Sequence, residues 1–168
     1  MRSNKQTAIF AGGCFWCIES AFAHVDGVIR VMSGHAESKE EQGKKREAVR
    51  VAFDPSVVEY KELVRIFWLQ IDPTDGGGQF YDRGFKYTTA IYVRDQKQKK
   101  IALESKEKVA NSEKFKDEIA TRIVEFESFE NAEDAHQEYW KKYPERYRQY
   151  RVGSGREDYL KKAWGKKT

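Results

Sequence analysis

The stretch Thr7-Ala8-Ile9-Phe10-Ala11-Gly12-Gly13-Cys14-Phe15-Trp16-Cys17 decides how the rest of the chain is read. An apolar run leads into two glycines, and both cysteines of the protein follow with two aromatic residues between them. Beyond them Ile18, Ala21, Phe22 and Val25 fall on one face of a helix, the spacing of an amphipathic element. The pattern is a strand, a tight turn and a helix start. Backbone N–H groups at a helix N-terminus lack partners, and the helix dipole favours negative charge there. A thiolate is favoured at Cys14, and the thiolate is the reactive form. The stretch predicts a reactive thiol beside apolar rings, with a second thiol within reach.

Working outward, residues 28–32 read as a second strand closed by Ser33-Gly34, and residues 36–46 as a charged loop. Residues 47–53 alternate and are rich in β-formers, which predicts a third strand. A helix follows over 59–71, then a long irregular stretch over 72–84 that holds Phe80 and Tyr81. Loops of that length in compact domains are more often functional than neutral. A fourth strand is expected over 87–93, and Asp95 is placed to cap a long polar helix ending near Asn111. A fifth strand over 122–126, a helix over 133–143 stopped near Pro144, and a helical patch over 157–164 complete the reading. The order β-α-β-β-α-β over residues 7–93 predicts a two-layer, ferredoxin-like α+β sandwich, with the fifth strand and extra C-terminal helices as additions. No repeat or linker interrupts the chain, so residues 1–168 are expected to form a single domain.

Hydrophobic residues make up 39% and aromatics 14% of the chain, which excludes disorder despite 35% charged residues. The net charge of +4 comes from 31 basic and 27 acidic side chains mixed along the chain. That is a solvated surface rather than a nucleic-acid footprint, which needs a basic cluster on one face. Residues 1–7 lack the apolar core of a signal peptide, and no apolar run is long enough to span a membrane. A cytoplasmic protein without a membrane partner is expected. Two cysteines in such a chain point to redox chemistry or half a metal site. A closed zinc site would have to recruit from His24, His35 and His136, so no metal is expected.

Outside the dithiol, Glu47 at the start of the third strand is either a solvated edge carboxylate or a proton donor with a raised pKa. Asp82 and Tyr87 flank Gly84 where the long loop meets the fourth strand, and the tyrosine could donate a hydrogen bond into a pocket. Phe15 and Trp16 are either core aromatics or the walls of an apolar pocket. His35 follows Ser33-Gly34 at a strand end.

These blocks carry a resemblance. Gly13-Cys14-Phe15-Trp16, Glu47 before Val49-Arg50-Val51, Phe53-Asp54-Pro55, Asp72-Pro73-Thr74, Asp82-Arg83-Gly84 with Tyr87, Ala90-Ile91-Tyr92 and Ala132-Glu133-Asp134-Ala135-His136-Gln137 resemble the peptide methionine sulfoxide reductase A family, in order, from about residue 7 to about residue 144. The resemblance implies that Cys14 attacks the sulfur of a methionine S-sulfoxide, free or in an oxidised protein, and becomes a sulfenic acid. It implies that Glu47 protonates the leaving oxygen, that Tyr87 and Asp82 hold that oxygen and the substrate backbone, and that Phe15 and Trp16 receive the methyl group. The sequence departs from the family in three ways. Cys17 stands where a glycine is common. The tail carries no cysteine. His35 replaces a tyrosine after Ser-Gly. Cys17 is then the one internal thiol that could resolve a sulfenic acid on Cys14. No cofactor is implied; thioredoxin or a similar external dithiol would be the reductant, and the protein is expected to act as a monomer.

Other readings remain open at this level. A thioredoxin-like dithiol-disulfide oxidoreductase would use the CxxC but leave Glu47 and Tyr87 idle. A zinc-holding module would use both cysteines and two histidines. A cysteine hydrolase lacks a histidine placed by any pattern near Cys14.

Overall fold

The computed structural model describes residues 5–164. The reading of residues 1–7 as free of a signal segment falls partly on residues 1–4, outside the described residues. No helix among the described residues is long and apolar enough to cross a membrane.

Strand β1 (Gln6–Gly12) is the centre of the fold. It pairs antiparallel with β3 (Lys45–Phe53) on one side and with β6 (Thr89–Val93) on the other. Its residues 8–11 are fully buried because both faces are covered, and for that reason they read as a continuous apolar run. Ala8 and Phe10 face the helices, whereas Ile9 and Ala11 face the interior of the sheet. Strand β2 (Val28–Ser38) pairs antiparallel with β3 along most of its length. Strand β7 (Arg122–Asn131) closes the ring: its first residues run parallel to β6 and its last residues run antiparallel to the far end of β2.

The order β1-β3-β2-β7-β6 is a closed five-stranded barrel. Mixed α and β content is as expected. The open two-layer sandwich is not what the chain forms, because β7, read as an addition, joins the two edges of the sheet. The interior of so small a ring is narrow. It is lined by Ala11, Ala36, Ala48 and Ala90 beside Ile9, Tyr92 and Val124. Arg46, read as part of a charged loop, is 1% exposed inside it. Its Nε donates to Thr88 at 2.7 Å, and Nη1 donates to Tyr92 at 3.0 Å and to Glu41 at 2.8 Å.

The second strand does not stop at Ser33-Gly34. A Cβ on Gly34 would lie 2.2 Å from the Glu130 carbonyl oxygen and 2.6 Å from the Phe129 ring. The glycine is there to admit β7, not to turn the chain.

On the outer face, helix α1 (Phe15–Ala23) and helix α2 (Tyr60–Trp68) pack on β1 and β3. Phe10 stacks on Phe22 at 5.0 Å and on Phe67 at 5.2 Å. Each such fully buried side chain stabilises the fold by roughly 1.5–3 kcal/mol. Asp95 caps α3 (Gln96–Ala110) as expected, its carboxylate accepting from the Gln98 N–H at 2.8 Å. The irregular stretch after α2 contains a two-stranded ribbon, β4 (Gly78–Gln79) and β5 (Asp82–Arg83), and a 3-10 turn over Phe85–Tyr87, so Tyr87 precedes β6 rather than opening it.

The C-terminal part is corrected as well. The single helix expected over 133–143 is a 3-10 turn at Asp134–His136 followed by the short α4 (Tyr139–Lys142). Pro144 opens α5 (Pro144–Gly153) instead of ending a helix. At the first helical position the missing N–H of proline costs nothing and its fixed φ suits the turn. Helix α6 (Arg156–Trp164) completes the described chain.

Candidate active site

The site forms where β1 ends and α1 begins. Gly13 has φ +91°, and a Cβ there would meet Gln79 Cβ at 2.7 Å and Arg156 Nη2 at 2.8 Å. Only glycine fits that conformation and that space. The turn delivers Cys14 as the residue before the first helical one, with φ −60° and ψ 125°. Cys14 is 5% exposed, and Cys17 one turn later is 1% exposed; both thiols are free.

The first helical N–H is already taken. Phe15 N–H donates to Glu47 Oε1 at 3.3 Å. Glu47 lies on the helix-facing side of β3 with Val49 and Val51, while Arg46 and Ala48 face the interior. Burial pushes the Glu47 carboxyl up to about 7, against the Phe15 hydrogen bond and the Lys86 charge. It is therefore a carboxylic acid able to hold or give a proton near neutrality.

The dithiol does not carry its charge where the helix start alone predicts. Burial pushes Cys14 up, and Cys17 and Glu47 push in the same direction. Cys17 lies below the ordinary thiol range because Cys14 donates a hydrogen bond to it, with Arg156 and Arg151 adding to the effect against burial. Diversion of the first helical N–H to Glu47 removes a donor that would otherwise favour a Cys14 thiolate. Of the two sulfurs Cys17 is the one whose surroundings favour negative charge, and Cys14 is the thiol that donates.

His35 is the β2 partner of Glu47 in the β2–β3 ladder. Its ring stands edge-on to Phe15 at 5.8 Å. Burial, with help from Lys86, lowers its pKa, so the imidazole is neutral near pH 7. Tyr87 lies close enough to Glu47 and Asp82 for their charges to add to burial in raising its pKa. Cys14, Phe15, His35, Glu47, Asp82 and Tyr87 thus gather around one end of β1. Trp16 is held beside them by a wall of later residues: Tyr139 stacks on it at 3.9 Å, His136 at 5.9 Å, and Tyr150 meets it edge-on at 5.6 Å.

Several residues at this site carry no sequence signal. The Tyr150 hydroxyl donates to Asp82. Burial and the Cys14 sulfur push that hydroxyl well above the ordinary phenol range, so it stays protonated. Tyr147, Arg151 and Arg156 lie on the Cys17 side. His136 packs on Phe15 at 5.8 Å. The tail is rich in tyrosine and arginine, but no periodicity aims those side chains at residue 14. Among the described residues, no group of three or more His, Cys, Asp or Glu is arranged to hold a metal ion.

The family model described as "Peptide methionine sulfoxide reductase" matches residues 6–168. The chain is 48% identical to a peptide methionine sulfoxide reductase MsrA of Bacillus licheniformis, covering 99% of this chain and 98% of the relative. It is 45% identical to the MsrA of Bacillus subtilis, covering 99% and 100%. Its fold is similar to that of Mxr1 from Saccharomyces cerevisiae in reduced form, with TM-score 0.75, 24% identity and coverage of 83% and 86%. Mxr1 in complex with Trx2 also matches, with TM-score 0.61, 21% identity and coverage of 83% and 89%.

Proposed function

This chain belongs to the peptide methionine sulfoxide reductase family, and we propose that Cys14 is its nucleophile, Glu47 its proton donor and Cys17 the thiol that resolves the oxidised enzyme. The chain is an oxidoreductase that reduces methionine sulfoxide with thiols. The observation that carries the assignment of roles is Glu47: a buried carboxyl that titrates at about 7 and so still holds a proton in much of the enzyme near neutrality, hydrogen-bonded to the residue that follows Cys14.

As Cys14 attacks the sulfoxide sulfur, its proton passes to the Cys17 sulfur that already accepts its hydrogen bond. Glu47 protonates the sulfoxide oxygen as the S–O bond weakens. The oxygen ends on the Cys14 sulfur as a sulfenic acid, and methionine leaves with the electron pair. Phe15 and Trp16 supply an apolar cradle for the methyl group. Tyr87, Asp82 and His35 supply polar groups for the oxygen and the substrate backbone, a reading supported by their gathering near Glu47.

Cys17 then attacks the Cys14 sulfur. A disulfide forms, the S–O bond breaks, and the oxygen leaves as water. An external dithiol returns the enzyme to its reduced state with no bound cofactor. A thioredoxin is the proposed donor, supported by the complex in which Mxr1 binds Trx2. The substrate is the S-sulfoxide of methionine, free or in oxidised proteins, and the enzyme acts as a cytosolic monomer. The fold is read as a ferredoxin-like core to which β7 adds closure, supported by the β-α-β-β-α-β order of its first six longer elements.

The test is mass spectrometry after one equivalent of methionine S-sulfoxide. A Cys14–Cys17 disulfide is expected. An unmodified protein with no methionine released overturns the assignment, and a persistent sulfenic acid removes Cys17 from it.

A further inference from the structure

Arg156 is among the largest fully buried side chains in the molecule, at 1% exposure. Its Nη1 donates to the Gln70 carbonyl at 2.6 Å and its Nη2 to the Gly12 carbonyl at 2.9 Å. The guanidinium lies over the Phe80 ring at 4.8 Å. Nη2 approaches Gly13 so closely that an added Cβ there would sit 2.8 Å from it. Among the described residues no carboxylate forms an ion pair with Arg156. Carbonyl oxygens satisfy hydrogen-bond donors but do not neutralise a charge. A buried guanidinium without a carboxylate is costly unless an anion lies nearby.

A fixed place for such an anion is the dithiol. The guanidinium packs against the two residues that precede Cys14. A second arginine reinforces it from the adjoining helix: Arg151 Nε donates to Glu157 at 2.6 Å, and its Nη1 donates to the Tyr147 hydroxyl at 3.4 Å. Two consecutive helices of the tail therefore bring positive charge to the buried face of α1.

We propose that Arg156 is the counter-charge of the Cys17 thiolate, a positioning residue that prepares Cys17 for disulfide formation. The proposal rests on the resolving role given to Cys17 above. In this division Glu47 and the groups around Cys14 serve sulfoxide reduction, and the α5–α6 hairpin serves resolution. The charged and titratable groups facing Cys17 are Cys14 on its own helix, Tyr147 and Arg151 on α5, and Arg156 on α6. Both arginines favour the thiolate there, and burial opposes it. Resolution joins the two sulfurs, breaks the S–O bond of the Cys14 sulfenic acid and releases water. Cys17 gives up the proton it took from Cys14, which leaves with the sulfenic oxygen as water, and Arg156 stabilises the thiolate that attacks.

The experiment follows the Cys17 titration midpoint by NMR of isotope-labelled cysteine in the reduced full-length protein, together with quenched single turnovers on methionine S-sulfoxide. Arg156→Met should raise the midpoint by about one unit and slow disulfide formation about tenfold relative to methionine release. Arg156→Lys should restore most of both. An unmoved midpoint in folded Arg156→Met overturns the proposal and leaves Arg156 a structural tie. Where Arg156→Met does not fold, Arg156→Gln replaces it; the same rise in the midpoint is expected, and no rise overturns the proposal. If the midpoint moves but wild-type enzyme never forms the disulfide, the resolving role of Cys17 fails while the counter-charge role stands.

Discussion

His35 on β2 stands directly opposite Glu47 on β3, one rung of the antiparallel ladder. Directly opposed residues present their side chains on the same face of a sheet. A neutral hydrogen-bonding ring is thereby fixed beside the buried carboxyl, both facing α1. The register of two strands, rather than a loop, assembles this part of the site.

His35→Tyr should retain turnover within about tenfold of wild type, because a phenol also donates one hydrogen bond. It should also remove any acid-side loss that arises from protonating the imidazole. Steady-state kinetics from pH 5 to 9 measures both, and abolished activity would give His35 an essential role not assigned to it above.

Glu47→Gln should lower the single-turnover rate of methionine release by about 10²–10⁴-fold while the fold persists. In the wild type the active form is protonated, so the rate should fall as pH rises through about 7. The variant should lose that limb. An unchanged rate removes Glu47 from the chemistry.

The same carboxyl links stability to pH. Its folded pKa lies above the ordinary carboxylate range, at about 7. Between those values the folded chain binds the extra proton, so stability is full at lower pH and declines as pH rises toward about 7. The contribution is on the order of 3 kcal/mol. Urea denaturation at pH 5 and pH 8 should show a decline that is smaller in Glu47→Gln.

Arg46→Met should destabilise the protein by about 3 kcal/mol, since it removes the buried partner of Glu41, the two side chains being 2% and 10% exposed, and leaves that carboxylate only the exposed Arg122 as a cation. Adding Glu41→Gln should recover part of the loss. Urea midpoints of the single and double variants decide this, and equal stabilities for wild type and Arg46→Met would show that the pair is idle.

Gly34→Ala should cost about 1–3 kcal/mol, as overpacking does, because its methyl collides with the β7 backbone. Amide hydrogen exchange should quicken on both sides of the β2–β7 seam first. Uniform protection would contradict the role given to this glycine in closing the barrel.

Local pattern was enough to place β1, α1 and β3. Their burial follows periods of two or 3.6 residues that a linear reading can count, and Cys14 is fixed by the turn it follows. Glu47 was nameable, but its proximity to Phe15 depends on β1 pairing with β3, and its raised pKa depends on burial that no spacing reveals. The closed ring was not legible. Ser33-Gly34 looks like a stop until β7 is brought against Gly34. Arg46 looks solvated until the barrel encloses it. Tyr150 and Arg156 were hidden for the same reason: they meet the site through packing between ends of the chain, and the helices that carry them have polar faces with weak apolar periodicity.

The bond from Arg156 to the Gly12 carbonyl spans 144 positions of sequence. A ribosome releases the N-terminal end first. The turn that bears Cys14 is thus synthesised well before the guanidinium that locks it. Until α6 is made, the nascent protein holds its cysteines without the electrostatic setting of the folded enzyme. Catalytic maturity waits on the emergence of α6.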